Sequence, residues 1–191
     1  MTRVLGVDGC RGGWLGALVD GTSVTWLRLP DVTAVLAVDA SAIGIDMPVG
    51  LPPRGRRQCD LAAKRLLGRA HPRVFLTPPR GVLTAGSYVE AGALHRALAD
   101  GKGMSVQTWQ LVAKVREVDA RADDPRLVEV HPELSFALLA GRVLSPKRTR
   151  AGREERLDAL RPWLPDLADV PPGDDAPDAL AAAWSALRWH T

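Results

Sequence analysis

Three apolar runs separated by turn residues open the chain: Arg3–Val7, Trp14–Val19 after Gly12-Gly13, and Ser23–Leu29 after Asp20-Gly21. Asp-Gly between apolar runs favours a tight hairpin, because both residues tolerate positive φ. The opening is therefore expected to fold as an antiparallel three-strand meander. This excludes an all-helical protein and makes the placement of every later strand a question of which meander edge it joins.

The next segment, Asp31–Ala40, follows Pro30 and is rich in alanine and valine, so a short helix capped by Asp31 is expected before a strand over Ala42–Asp46. Helical spacing then predicts helices over Gln58–Leu67, with an Asp60/Lys64 pair and Gly68 as its stop, over Tyr88–Ala99 and over Val106–Ala122. A strand at Leu127–Val130, a helix from Pro132 to Leu139 before Gly141, and a closing helix from about Asp174 complete the order. The expected fold is α/β: a mixed sheet, three strands antiparallel and two parallel, flanked by helices, with a helical insertion at about 55–122. No repeat, low-complexity tract or Ser/Gly linker divides the 191 residues, so one domain over 1–191 is expected.

The chemistry gathers at acids on strand exits. Asp8 ends VLGVD, Asp46 ends IGID and Glu129 lies near the end of LVEV. Singly, each suits a turn or a cap. If the strands of Asp8 and Asp46 are neighbours, however, both carboxylates leave the same sheet edge about 5 Å apart, and such a pair must hold a proton or a cation. The closing helix adds DDAPDALAAAW, where Asp175 and Asp178 share a face and the alanines let the helix approach the sheet. Asp174 suits an N-cap and Asp175 the positive end of the helix dipole, whereas Asp178 gains little from either role.

An all-oxygen donor set suits Mg²⁺ or Mn²⁺. The only cysteines, Cys10 and Cys59, form no metal-type pair and no disulfide framework, which argues against zinc or thiol chemistry. Two divalent ions held about 4 Å apart activate water and stabilise the leaving oxygen of a phosphodiester, and phosphodiester hydrolysis is the reaction expected.

The meander with its first aspartate, the second aspartate on the fourth strand and the closing Asp-x-x-Asp-Ala-Leu-Ala helix resemble the RNase H-like superfamily. The helix motif is similar to that of Holliday-junction resolvases. More narrowly, GVDGCRGGW, IGIDMPVGLP, RQCD followed by LLGR, MSVQTW with KVREVD, EVHPELSF and DDAPDALAAAW resemble, in that order, the family labelled predicted RNase H-like nuclease, a domain of unknown function. The resemblance spans nearly the whole chain. It implies Asp8 and Asp46 as strand ligands and Asp178 with Asp175 as helix ligands, with Glu129 or Glu133 completing the site. Pro177 stands where an aliphatic residue is expected, and bears on how Asp178 is presented.

Substrate contacts are sought among the basic residues. Between Arg54 and Arg80 stand eight bases against the single acid Asp60, and a second basic stretch runs from Arg142 to Arg156, while Leu157–Leu180 holds six aspartates against Arg161. The near-balanced net charge of +3 thus conceals a segregation that fits a phosphate-binding rim around an acidic centre. Arg11, Arg57, Arg80 and Lys147 are the substrate-binding candidates, and His131 with Glu133 the candidates for proton transfer at a strand-to-helix turn. Lys147, Arg148, Arg150 and Arg153 read as a basic loop. Six tryptophans against one tyrosine and two phenylalanines read as core aromatics, with only Trp14 and Trp109 in motifs where stacking on a base is considered.

Nucleic acid (DNA, RNA or a branched junction) is the expected partner, with a homodimer the assembly considered. The opening MTRVLGVDGC lacks an apolar signal-type region and no run reaches membrane-spanning length, so a cytoplasmic setting is expected. Two alternatives accompany the nuclease reading. One is a non-catalytic module of the same fold that binds nucleic acid, nucleotide or protein; the other is an actin-like ATP-dependent enzyme, which a chain of this length disfavours.

Overall fold

The computed structural model describes residues 2–99 and 101–191. The chain falls into two compact units, one formed by residues 1–47 and 123–191 and the other by residues 48–122. The second begins directly after Met47 and contains the stretch of about 55–122 that the sequence reading treated as a helical insertion.

In the first unit, strands β1 (Arg3–Cys10), β2 (Gly13–Asp20) and β3 (Ser23–Leu29) form the expected meander. Helix α1 (Val32–Leu36) follows, with the Asp31 carboxylate accepting from the Ala34 N–H at 2.8 Å. Strand β4 (Ala42–Ile45) then joins the free edge of β1 in parallel, and β5 (Leu127–Glu129) joins β4 in parallel. The sheet order is β3-β2-β1-β4-β5, mixed as expected. Because β1, β4 and β5 all point the same way, their carboxyl ends share one edge, which is where α/β sheets place ligands.

The second unit holds α2 (Gln58–Leu67), α3 (Tyr88–Leu98) and α4 (Val106–Asp119), with 3-10 turns at Gly68–Arg73 and Arg80–Thr84. Gly68 ends α2 at φ 51°, the left-handed geometry expected of it. Asp60 and Lys64 bond to other partners in place of the expected pair with each other. Asp60, buried, accepts from Arg57 at 2.6 Å and from the Thr77 N–H at 2.9 Å, and Lys64 donates to the His71 carbonyl.

Back in the first unit, α5 (Pro132–Ala140) is followed by α6 (Arg150–Leu160) and α7 (Asp175–His190). Helix α6 corrects the reading of this stretch as a loop. Its polarity hid it from hydrophobic periodicity, but Thr149 caps it by accepting from the Gly152 N–H, and Leu160 and Arg156 are buried. Helix α7 packs on β1, β4 and β2 and carries a nearly continuous buried face of Ala176, Ala179, Leu180, Ala182, Ala183 and Ala186. Among the described residues no helix is long and apolar enough to cross a membrane.

Candidate metal centre

Sheet alternation creates the site. Side chains two residues apart on a strand share a face. Gly6 and Gly44 are direct partners across the parallel β1–β4 pair, and Asp8 and Asp46 each follow two residues later. A Cβ on Gly6 would lie 2.0 Å from the Ala179 carbonyl oxygen, and one on Gly44 would lie 2.2 Å from that of Ala182. The backbone of α7 therefore rests on the two glycines, and its first turn reaches the sheet edge. There Asp178 meets the strand aspartates. The β4 pairing ends at Val7–Ile45, after which the Asp46 N–H donates to the Val7 carbonyl at 3.0 Å and holds the two aspartates side by side. Asp8 does not end its strand, as the sequence suggested. β1 runs on to Cys10 against β2 alone.

Asp8, Asp46 and Asp178 each offer a carboxylate oxygen within 4.8 Å of the others. Asp8 and Asp178 are buried, and Asp46 keeps partial contact with solvent. Burial raises all three carboxyl pKa values, since a charge removed from water is costly, and neighbouring carboxylates add to it. Asp8 is held well above its ordinary value by burial, then by Asp46 and Asp178. Asp46 is pushed up to about 7 by burial and Asp178, with smaller contributions from Glu129 and Glu133. Asp178 is raised by burial against the opposing pull of Lys147.

Lys147 Nζ donates to Asp178 Oδ2 at 2.5 Å. Burial acts to lower the pKa of this ammonium, but Asp178, then Asp8 and Asp46, outweigh it and keep it charged. Its position is braced by α6. Gly152 lies so close to the loop that a Cβ would stand 2.2 Å from the Pro146 carbonyl oxygen. The Ser145 N–H donates to Glu155 at 2.7 Å, and Arg156, only 1% exposed, donates to the carbonyls of Ser145 and Gly152 and to Glu133. Arg156 is thus an internal tie, stacked over the Phe136 ring, and does not belong to an exposed basic rim. Arg153 likewise donates to the carbonyls of Pro171 and Gly173 in the loop before α7, and Arg142 pairs with Glu155.

The oxygens of the three aspartates fit a hard divalent cation. They are all carboxylate donors, and Asp178 Oδ1 is buried with no hydrogen-bond partner among the described residues. A buried carboxylate oxygen left unbonded is costly, and a cation is the natural partner for it.

The other sequence candidates take different places. Asp175, in the first turn of α7, is near enough to add to the upward shift of Asp8, but is not one of the three whose oxygens converge. Glu129 is exposed at the end of β5, and Glu133 is engaged by Arg156. His131 stands half-buried at the start of α5, where its side chain makes no capping bond. Asp174 likewise occupies the N-cap of α7 without a side-chain cap. Pro177 is accommodated in the first turn, and Asp178 reaches the cluster past it. Arg11 is exposed in the β1–β2 turn. Arg57 and Arg80 belong to the second unit, where they pair with Asp60 and Asp119. Trp14 is wholly buried in the sheet, so it is a core residue and cannot stack on a base. The sequence reading missed Gly6, Gly44 and Arg156; the repeated Gly-x-Asp of GVD and GID was the signal available for the first two.

No curated protein and no solved structure matches this chain. Residues 6–191, which include every residue of the aspartate cluster and its lysine, match the model of the family described as a protein of unknown function (DUF429), and the chain belongs to that family.

Proposed function

We propose that this protein is a divalent-metal-dependent nuclease of RNase H-like type, with Asp8, Asp46 and Asp178 holding Mg²⁺ or Mn²⁺. The carrying observation is the convergence of three carboxylates from three separate elements within 4.8 Å, with one buried oxygen unbonded. Raised carboxyl pKa values are what a cation site looks like without its counter-charge. A divalent ion bound there supplies Lewis-acid stabilisation of a phosphoryl oxygen and activates water.

The chain's own groups supply the rest. Asp8 and Asp46 are fixed by the strand edge, so their charge is already oriented. Lys147 brings an ammonium to the same edge, where it can meet a phosphate oxygen of the scissile nucleotide. His131, which follows Val130 beside the end of β4, carries the proton of the departing alcohol in this reading.

The test is incubation of the protein with Mn²⁺ or Mg²⁺ and labelled DNA, RNA, hybrid and branched junction. Metal-dependent cutting that Asp46→Asn abolishes is expected. Absence of cutting on every substrate, or cutting unchanged in Asp46→Asn, overturns the proposal.

The Lys147–Asp178 bond favours a second reading, a non-catalytic module in which the lysine itself is the counter-charge. Calorimetric titration separates the two. Saturable Mn²⁺ binding lost in Asp46→Asn supports the metal site, and no binding with unchanged stability in excess Mg²⁺ supports the module.

A further inference from the structure

The row that holds Asp8 and Asp46 continues across the sheet to a base. Asp8 pairs with Leu15 on β2, and Leu15 pairs with Arg28 on β3. Paired residues on neighbouring strands point to the same face, so Arg28 stands on the face of the aspartate cluster, two strands and about 10 Å from Asp8. Leu15 between them is buried and apolar, and no charge intervenes on the row. Arg28 lies within the apolar run of β3, and only the strand register brings it beside the acids.

The guanidinium of Arg28 is largely uncommitted. It carries five N–H donors, and among the described residues its one bond is to the Cys10 sulfur, a weak acceptor, at 3.4 Å. In the same unit Arg126, Arg153 and Arg156 are each tied to carbonyls or carboxylates. Cys10 lies two residues beyond Asp8 on β1 and shares its face, so the bond leans the Arg28 side chain back across β2 toward the cluster. Gly13, the β2 partner of Cys10, has no side chain to stand in the way. The α7 backbone covers this face at Gly6, whereas Cys10 is half-buried and Arg28 exposed, so the face lies open to solvent on the β3 side of the cluster.

We infer that Arg28 binds a backbone phosphate of the nucleic-acid strand being cut, an inference that rests on the nuclease reading of the cluster and adds the side on which the strand leaves it. A duplex strand advances about 3.4 Å per nucleotide, so a phosphate held about 10 Å from the cluster is about three nucleotides from the scissile one. Arginine suits this contact because its planar fork offers paired donors to phosphate oxygens, and the weak bond to sulfur yields readily to it. The bound backbone then covers Cys10.

The experiment is a thiol footprint of the full chain in Ca²⁺ with a short DNA duplex, the matching RNA–DNA hybrid in parallel. Iodoacetamide alkylates Cys10 and Cys59, and peptide mass spectrometry reads each; Cys59, exposed in the other unit, is the reference. Saturating duplex or hybrid should slow alkylation of Cys10 severalfold and leave Cys59 unchanged. By fluorescence anisotropy Arg28→Ala should weaken binding of the protecting substrate by about tenfold and reduce the magnitude of the slope of log affinity against log salt by about one, with calorimetric Mn²⁺ binding unaltered. Arg28→Lys should restore the slope and only part of the affinity, because the charge returns without the fork. Unchanged Cys10 alkylation with both substrates, equal protection of the two thiols, or wild-type affinity and slope in Arg28→Ala overturns the inference. Cys10 protection in a protein that binds no Mn²⁺ would overturn the metal reading and leave the Arg28 contact standing; Mn²⁺-dependent cutting with Cys10 unprotected would overturn the Arg28 contact alone.

Discussion

Gly6 and Gly44 face each other across the parallel β1–β4 pair, and the backbone of α7 rests on both. Two residues farther along each strand, on the same face, stand Asp8 and Asp46. The glycines thus set the helix-to-sheet distance, and that distance decides whether Asp178 reaches the strand aspartates.

Gly6→Ala or Gly44→Ala should therefore cost stability by about 3 kcal/mol or abolish folding, since the new methyl meets backbone atoms near 2 Å. Gly92→Ala in α3 is the contrast. Its Cβ meets only the Arg96 guanidinium, at 3.7 Å, so relief of helix-interior glycine entropy should leave it neutral or up to about 1 kcal/mol stabilising. Urea denaturation of the three variants reads the difference; equal effects at Gly6 and Gly92 would remove the packing argument.

The raised Asp46 carboxyl makes the metal-free protein sensitive to pH. A carboxyl with a higher pKa folded than unfolded binds protons more tightly when folded, so its contribution is full at low pH and is lost as pH rises through the folded value. For Asp46 the window runs from its ordinary 3.8 to about 7. In EDTA, Asp46→Asn should match wild type near pH 4 and exceed it by about 1–3 kcal/mol at pH 8, because each tenfold change in proton affinity is worth about 1.4 kcal/mol and relaxation around the charge recovers part of it. Thermal melts across pH test this, and a gap that does not widen with pH refutes it.

Lys147→Met removes the ammonium from beside Asp178. Metal-free stability should fall by about 1–2 kcal/mol, between the values of exposed and buried pairs, because the lysine is partly exposed and the aspartate is not. Under the metal-site proposal Mn²⁺ should bind more tightly, since a competing cation has gone. Calorimetry showing weaker Mn²⁺ binding would assign Lys147 to supporting the site.

Arg156→Met should destabilise by about 3–5 kcal/mol, because it leaves Glu133 and the Ser145 carbonyl without the guanidinium they share. Arg156→Lys should not rescue it, as one ammonium cannot reproduce the planar fork. Hydrogen exchange at residues 145–149 should rise in both variants; unchanged protection there would show that the loop is held without Arg156.

Much of the fold is written locally. The meander follows from Asp20-Gly21 and apolar runs, α1 from its Asp31 cap, the end of α2 from Gly68. Helix α6 was illegible because it is polar and its packing uses Arg156, a residue that the charge pattern had set in a basic rim. The strand-edge acids were legible as candidates, since Asp8, Asp46 and Asp178 sit on elements the pattern identifies. Which acids meet was not, because Asp175, Glu129 and Glu133 have the same chemistry and similar places in the chain.

By itself the sequence determined the order of the five strands and of the helices other than α6, the candidate acids and the alanine surface of α7, all consequences of backbone periodicity and short-range sterics. Only the tertiary structure decided that three acids and not six converge, that Lys147 joins them, and that Arg156 and Trp14 are interior. Those outcomes depend on the registration of β4 beside β1 and on the approach of α7 to Gly6 and Gly44. They are contacts between residues far apart in the chain, and no local propensity encodes them.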